Sequence, residues 1–252
     1  MIFITGASGG IGEACAIAFA ERGHALLLVA RRREKLDALA HALREKFKVS
    51  VYAFELDVTK RAEVEAFGLK QRELLQQVTV LVNNAGLAKG LSTLQDADPD
   101  DWDAMIDTNI KGLLHTTRLV VGHFVAKTSG HIVNLGSIAG HWTYPKGNVY
   151  CATKSAVHAL SESMRLDLHG SGIRVTEISP GMVATDFSRV RLGDESKAKA
   201  VYAGVDALTA ADIAETICWV VERPARVNIQ EIVLYPTDQA SPGLVHRRGN
   251  IS

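Results

Sequence analysis

The run Thr5-Gly6-Ala7-Ser8-Gly9-Gly10-Ile11-Gly12 limits the folding of this chain more than any other feature, because it joins the apolar stretch Ile2–Thr5 directly to the helical pattern Glu13–Arg22. Glycines at a strand-to-helix turn permit positive φ and let backbone approach a ligand closely. The free N–H groups and positive dipole end of the following helix then form an anion site. A glycine-rich turn alone is weak evidence, and its place between a strand and a helix is what restricts it to an α/β arrangement.

The rest of the chain repeats that alternation. Ile2–Thr5, Ala25–Ala30, Val49–Glu55, Thr79–Val82, His131–Leu135, Arg174–Ser179 and Glu231–Leu234 read as strands separated by segments of helical period. Strands apolar on both faces and divided by helices predict a doubly wound parallel sheet of about seven strands, covered on two sides. No internal repeat or low-complexity segment interrupts it, and 252 residues require no second unit, so the expectation is a single domain over 1–252. The polar stretch Ser188–Ala200 and the segment after Pro236 are the candidate flexible pieces. The first, lying between a strand and the next helix within about 185–205, occupies the place of a substrate lid, or of an ordinary surface loop. The second is a carboxyl-terminal tail from about 236.

Ligands of open α/β sheets bind at the carboxyl ends of the strands. There the second strand runs into Arg31-Arg32-Arg33, where an acidic residue normally takes the ribose 2'-hydroxyl of NAD. A carboxylate would repel a 2'-phosphate, whereas guanidinium groups bind it, so Arg31 and Arg32 select NADP. Arg33 reads better as a solvated residue at the start of the next helix. Asp57-Val58 and Asn83-Asn84-Ala85-Gly86 follow the third and fourth strands; Asp57 equally suits a helix cap, and the Asn-Asn-Ala-Gly run equally suits a plain turn.

Tyr150 and Lys154 stand four residues apart in the helical segment Asn148–Gly170, so they share one face. A free tyrosine is only about 0.1% ionised at pH 7, a deficit of roughly 4 kcal/mol. An ammonium about 4 Å away supplies on the order of 4 kcal/mol at an effective dielectric near 20. The pair is therefore a candidate general base for alcohol oxidation and general acid for carbonyl reduction. The spacing is common by chance and gains weight from Gly136-Ser137-Ile138-Ala139-Gly140 after the fifth strand, where Ser137 can donate to an oxygen gaining charge. Asn109 sits within a helix although asparagine is a mediocre helix former, which invites a structural reason.

Taken together, Thr5-Gly-x-x-x-Gly10-x-Gly12, Asn83-Asn-Ala-Gly86, Asn109, Ser137, Tyr150-x-x-x-Lys154 and Pro180-Gly181 resemble the short-chain dehydrogenase/reductase family over almost the whole chain. The resemblance implies a Rossmann-type fold, with Tyr150 as acid/base, Lys154 lowering its pKa and holding the nicotinamide ribose, Ser137 orienting the substrate oxygen and Asn109 supporting a relay water. It implies cofactor contacts from Gly6, Ser8, Gly10, Ile11, Gly12, Arg31, Arg32, Asp57, Val58, Asn84, Ala85, Gly86, Pro180, Gly181, Val183 and Thr185. It also implies a homotetramer, paired through helices around Lys111–Lys127 and Asn148–Gly170. Within the family, Asn148–Lys154, Leu166–Gly170, Phe187–Asp194 and Pro224–Val233 are similar to the NADP-dependent 3-hydroxy acid dehydrogenases; Pro242–Ser252 departs from their pattern. A hydroxy acid needs a cation for its carboxylate; Arg189, Arg191 and Lys146 are the choices, and Arg191 is the one selected, against the alternative of a solvated loop arginine. Other carbonyl classes (3-oxoacyl thioesters, steroids, xenobiotics) would need a longer or more apolar cleft. A non-catalytic NADP sensor would have no need of Tyr150, Lys154 and Ser137.

With 28 basic and 28 acidic residues the chain has no net charge to attract nucleic acid or anionic membrane. No stretch approaches the roughly 20 apolar residues of a membrane span, and no signal-peptide pattern leads the chain. Cys15, Cys151 and Cys218 form no C-x-x-C pair, which argues against a disulfide framework or zinc site and favours a reducing, cytoplasmic setting. No metal ligand set is read from the sequence. His141 and Trp142 are expected to shape the pocket, and His158 to pack or meet a neighbour.

Overall fold

The computed structural model describes residues 1–249. Seven strands, β1 (Ile2–Thr5), β2 (Leu26–Ala30), β3 (Val51–Glu55), β4 (Val80–Asn83), β5 (Gly130–Leu135), β6 (Ile173–Pro180) and β7 (Glu231–Leu234), form one sheet in the order β3-β2-β1-β4-β5-β6-β7. Every neighbouring pair is parallel. All seven lie where the apolar runs predict them, with ends moved by a residue or two.

The strands carry apolar side chains on both faces because helices cover both. Ile2, Ile4, Leu26, Leu28, Val133 and Ile178 pack with residues of α1 (Gly10–Glu21), α2 (Arg33–Phe47) and α9 (Ala210–Val221). The alternate residues Phe3, Leu27, Val29, Leu81, Ile132 and Val175 pack with α3 (Arg61–Lys70) and α5 (Leu113–Lys127). Burying one such leucine contributes about 1.5–3 kcal/mol.

The order turns back between β1 and β4, so the connections after those two strands diverge and leave a crevice at their carboxyl ends. Four further helices face that edge: α4 (Pro99–Ile106), which runs through a π-helical turn at Asp107–Gly112 into α5, and α6 (Asn148–Asp167), α7 (Phe187–Leu192) and α8 (Glu195–Tyr202).

The stretch read as flexible at Ser188–Ala200 is instead mostly helical. Gly193, at φ 63°, ends α7, and Asp194 caps α8 by accepting from Ser196 N and Lys197 N. Each helix is too short for its period to stand out from a polar loop. The tail after Pro236 is likewise ordered over the described residues: Gln239–Ser241 and Leu244–Val245 form an antiparallel hairpin. Arg247 donates to Val201 O and Ala203 O, and Arg248 N donates to Gly204 O at 2.7 Å. The last residues of the unmatched segment Pro242–Ser252 lie outside the described residues. Among those described, no helix is long and apolar enough to cross a membrane.

Candidate active site

The glycine turn is shaped by contacts between β1 and β4. Gly6 adopts φ 64°, and its carbonyl, with that of Thr5, accepts from Asn84 Nδ2 at 3.2 and 2.9 Å. Thr5 Oγ1 accepts from the Asn84 and Ala85 amides at 3.1 and 2.9 Å. A Cβ on Gly12 would collide with Asn84 Nδ2 and with Gly6 O, so only glycine lets α1 start this close to the turn. Gly10 and Ile11 lie at the open amino end of that helix. Asn84 and Ala85 thus build the turn itself, and Thr5, which the motif includes without a role of its own, holds both of them.

Arg32 reaches back over this turn: Nε donates to Ser8 Oγ at 3.1 Å and Nη2 to Ser8 O at 2.9 Å. Ser8, Gly9, Gly10, Arg32 and Lys35 line one cleft, so a guanidinium, a hydroxyl and helix N–H groups meet at its mouth. Lys35 was not singled out in the sequence, where it reads as a solvated helix residue. Arg31 is exposed, and Arg33 pairs with Asp37 at 2.6 Å, away from the cleft.

At the third strand, Asp57 Oδ1 accepts from Thr59 N and Oγ1 at 3.0 and 2.8 Å, a local turn ahead of α3 and not a cap of it, since the residue before that helix is Lys60. Buried Val58 packs where Gly112 would otherwise carry a side chain. On the far side, Pro180 ends β6, and Gly181 N donates to Leu234 O at 2.7 Å. The tail residue Gln239 accepts from Met182 N at 2.8 Å. Val183 pairs with Leu208, and the Thr185 methyl group faces Gly10. The segments after β1 and β6 therefore face each other across the crevice.

Tyr150, Lys154, Ser137 and Asn109 are all buried around the carboxyl ends of β4 and β5. The π-helical turn is the structural reason that Asn109 invited: widening the helix there carries its side chain inward. Its Oδ1 accepts from Leu87 N at 2.9 Å, and Nδ2 donates to Leu87 O and to Thr153 Oγ1 at 2.9 and 3.0 Å. A Cβ on Gly86 would lie 3.3 Å from Asn109 Oδ1 and 3.7 Å from Lys154 Nζ, so both groups flank one point.

Lys154 Nζ donates to Leu135 O at 2.7 Å, which anchors the ammonium on β5 rather than on the phenol. Burial pushes its pKa down to about 8, opposed by the nearby charge of Glu177. Burial raises the Tyr150 phenol well above its usual range, while a hydrogen bond from Ser137 and the charge of Arg191 pull it down. The direct lysine assistance expected from the four-residue spacing is thus not among the influences on this phenol, of which desolvation is the largest.

Arg191 stands at the site. Its guanidinium lies 5.3 Å from the Tyr150 ring centroid; Nη1 donates to Tyr144 Oη at 2.8 Å and Nε to Gly90 O at 3.2 Å. Trp102, Lys146, Tyr150 and Arg191 line the cleft, and Trp102 Nε1 is buried without a hydrogen-bond partner. Arg189, the alternative, pairs with Asp186 on the outside. Tyr144 was missed in the sequence, where its one signal is an aromatic residue in the polar loop between Ser137 and the Tyr150 helix. His141, expected to shape the pocket, instead stands against His158, expected to pack, with ring centroids 4.5 Å apart beside Glu177 of β6 and Glu231 of β7.

A family model described as short chain dehydrogenase matches residues 1–197. The chain is 45% identical over 250 residues to the NADP-dependent 3-hydroxy acid dehydrogenase YdfG of Salmonella typhi, covering 98% of this chain and 99% of that protein. It is 42% identical over 242 residues to sulfoacetaldehyde reductase 2 of Chromohalobacter salexigens, covering 95% of each. Among solved structures it superposes on the closed form of a serine dehydrogenase complexed with NADP+ with a TM-score of 0.87 and 42% identity, covering 98% of this chain and 99% of that one. The chain belongs to the short-chain dehydrogenase/reductase family.

Proposed function

We propose that this chain is an NADP-dependent oxidoreductase that moves a hydride between NADP(H) and a small 3-hydroxy acid or its 3-oxo partner, of the serine, allo-threonine, 3-hydroxypropionate or 3-hydroxyisobutyrate type. The observation that carries the substrate class is Arg191, a guanidinium over the ring of the phenol that handles the proton. An alcohol without a carboxylate has no use for a cation there, whereas a hydroxy acid binds it through charge-assisted hydrogen bonds.

The cofactor cradle fits. Arg32 and Ser8 form a phosphate corner beside the glycine turn, Arg31 adds a second positive charge, and the start of α1 offers N–H groups to a pyrophosphate. Gly6, Gly10, Ile11 and Gly12 would line that turn, Asp57 and Val58 the adenine side, Asn84, Ala85 and Gly86 the ribose, and Pro180, Gly181, Val183 and Thr185 the nicotinamide. NADP supplies the hydride acceptor for oxidation and its reduced form the donor for reduction. Around it, Ser137 orients the substrate oxygen and Tyr150 takes its proton in oxidation or returns one in reduction. Burial favours the protonated phenol, the form that donates in carbonyl reduction, while Ser137 and Arg191 favour the phenolate that accepts the proton in oxidation. Lys154, anchored on Leu135 O, stands ready for the ribose, and Asn109 beside it holds the relay water. Residues 185–205 form the lid, since α7 delivers Arg191 to the cleft.

A sulfonate would meet the same guanidinium, and the likeness to a sulfoacetaldehyde reductase makes 2-hydroxyalkanesulfonates the second reading. Steady-state NADP reduction with a panel of 3-hydroxy acids, hydroxysulfonates and neutral alcohols decides between them. Tyr150→Phe is the control; turnover that survives it refutes the mechanism.

Exposed apolar side chains on Leu114 and Val125 of α5 and Leu166 of α6 support a homotetramer, to be checked by size-exclusion chromatography with light scattering. Three free, buried cysteines fit a cytoplasmic setting, testable by cell fractionation.

A further inference from the structure

Outside the cleft, His141, His158, Glu177 and Glu231 come together from four separate elements: the loop after Ser137, helix α6, strand β6 and edge strand β7. One ligand atom from each lies within 4.8 Å of the other three. His158 Nδ1 is 2.9 Å from Glu177 Oε2 and 3.9 Å from Glu231 Oε1, and His141 Nε2 contacts the same Glu231 oxygen. We propose that these four side chains form a divalent-metal site, with zinc as its fitting ion.

Three observations carry this. Glu177 and Glu231 are direct cross-strand partners in the β6–β7 register, and like charges opposite each other destabilise a sheet unless a cation sits between them. The side chain of Glu177 is 1% exposed, and a buried carboxylate requires a charged or coordinated partner. The fixed cations nearby act on it only at a distance: Lys154 and Arg165 feel its charge, but Lys154 donates to Leu135 O and Arg165 to Gln230 O, so neither is hydrogen-bonded to the carboxylate. With neutral imidazoles the cluster carries two negative charges, matching one divalent ion.

The geometry needs little change. Zinc bonds of about 2.0–2.2 Å in a tetrahedron place ligand atoms roughly 3.4 Å apart, so the closer pairs spread and the wider ones contract by small side-chain rotations. Two imidazoles with two carboxylates suit zinc better than calcium or magnesium, which take oxygen ligands. Ser179 Oγ donates to Glu177 Oε1 at 2.9 Å, which leaves Oε2 to face the site; metal-bound carboxylates are usually oriented this way. The histidines and Glu231, between 17% and 29% exposed, leave an entry path. A bound ion would staple the edge strand to the sheet, to the loop after Ser137 and to the turn of α6 that follows Lys154.

The test uses the full-length, tag-free chain dialysed against Zn2+ and desalted, with bound metal measured by inductively coupled plasma mass spectrometry and Tm by calorimetry. The wild type is expected to retain one zinc per chain and gain Tm, and a Co2+ form should show tetrahedral visible bands. His158→Ala and His141→Gln should each lose the metal and the Tm gain, and Ser179→Ala should weaken binding roughly 10- to 100-fold. No retained zinc in the wild type, or equal retention in both histidine variants, overturns the site and leaves two imidazole–carboxylate pairs.

Discussion

The two ends of the crevice are built in different ways. At the cofactor end the parts are, apart from Arg32 over Ser8, backbone and short side chains from neighbouring turns: Gly6, Gly12, Thr5 and Asn84, tied by bonds between two adjacent strands. At the substrate end the parts are long side chains from distant segments: Arg191 meets Gly90 across 101 residues of sequence and Tyr144 across 47. The first construction tolerates almost no change of residue. The second can be re-cut one side chain at a time.

Tyr150, which handles the proton at the substrate end, should show the largest effect. Tyr150→Phe is expected to lower kcat about 10^3- to 10^4-fold while leaving NADP binding unchanged, since general acid–base catalysis is worth that much. Isothermal titration of cofactor beside steady-state kinetics checks the split, and a matching loss of affinity would mean that the phenol also holds the cofactor. Next comes Arg32→Ala, expected to raise KM for NADP about a hundredfold with little effect on NAD. Equal effects on the two cofactors would remove the phosphate corner from Ser8 and Arg32. Arg191→Ala should raise KM for 3-hydroxy acids about tenfold to thirtyfold, and for neutral alcohols much less. Parity between the substrate classes would sink the carboxylate role.

The smallest effect tests the sheet shared by both ends. Burial lowers the His131 pKa from 6.5 to about 3, assisted by Arg174, and its Nδ1 has no hydrogen-bond partner. The unfolded chain therefore binds a proton between pH 6.5 and 3 that the fold refuses, so stability falls as pH drops through that window. Each unit below 6.5 costs about 1.4 kcal/mol, visible as a lower urea midpoint at pH 5.5 than at pH 7 and largely absent in His131→Phe. An unchanged acid limb in that variant would assign the loss elsewhere.

The same contrast explains what could be read from the chain. The sheet was legible because strands buried on both faces are continuous apolar runs, and the cofactor turn because its parts are consecutive in sequence. Tyr150 and Lys154 were legible as a pair, but the target of the lysine was not: a four-residue spacing places two side chains on one face without saying that Nζ will turn to Leu135 O. Asn109 invited a structural reason, yet a π-helical turn has no residue signature of its own. Tyr144 and Gln239 escaped because their roles arise only when segments far apart in sequence touch, and the helices at 187–202 because each is too short for its period to show. The cluster of His141, His158, Glu177 and Glu231 escaped for the same reason, its ligands falling on four elements with no motif spacing.

The hairpin tail has an evolutionary consequence. By holding Ala203 and Gly204 through Arg247 and Arg248, and Met182 through Gln239, it touches both margins of the segment that carries Arg191. Mutations in such a tail can shift the substrate range of a lineage while Tyr150, Lys154, Ser137 and Asn109 stay untouched, so selection has a dial for specificity that is separate from the one for chemistry.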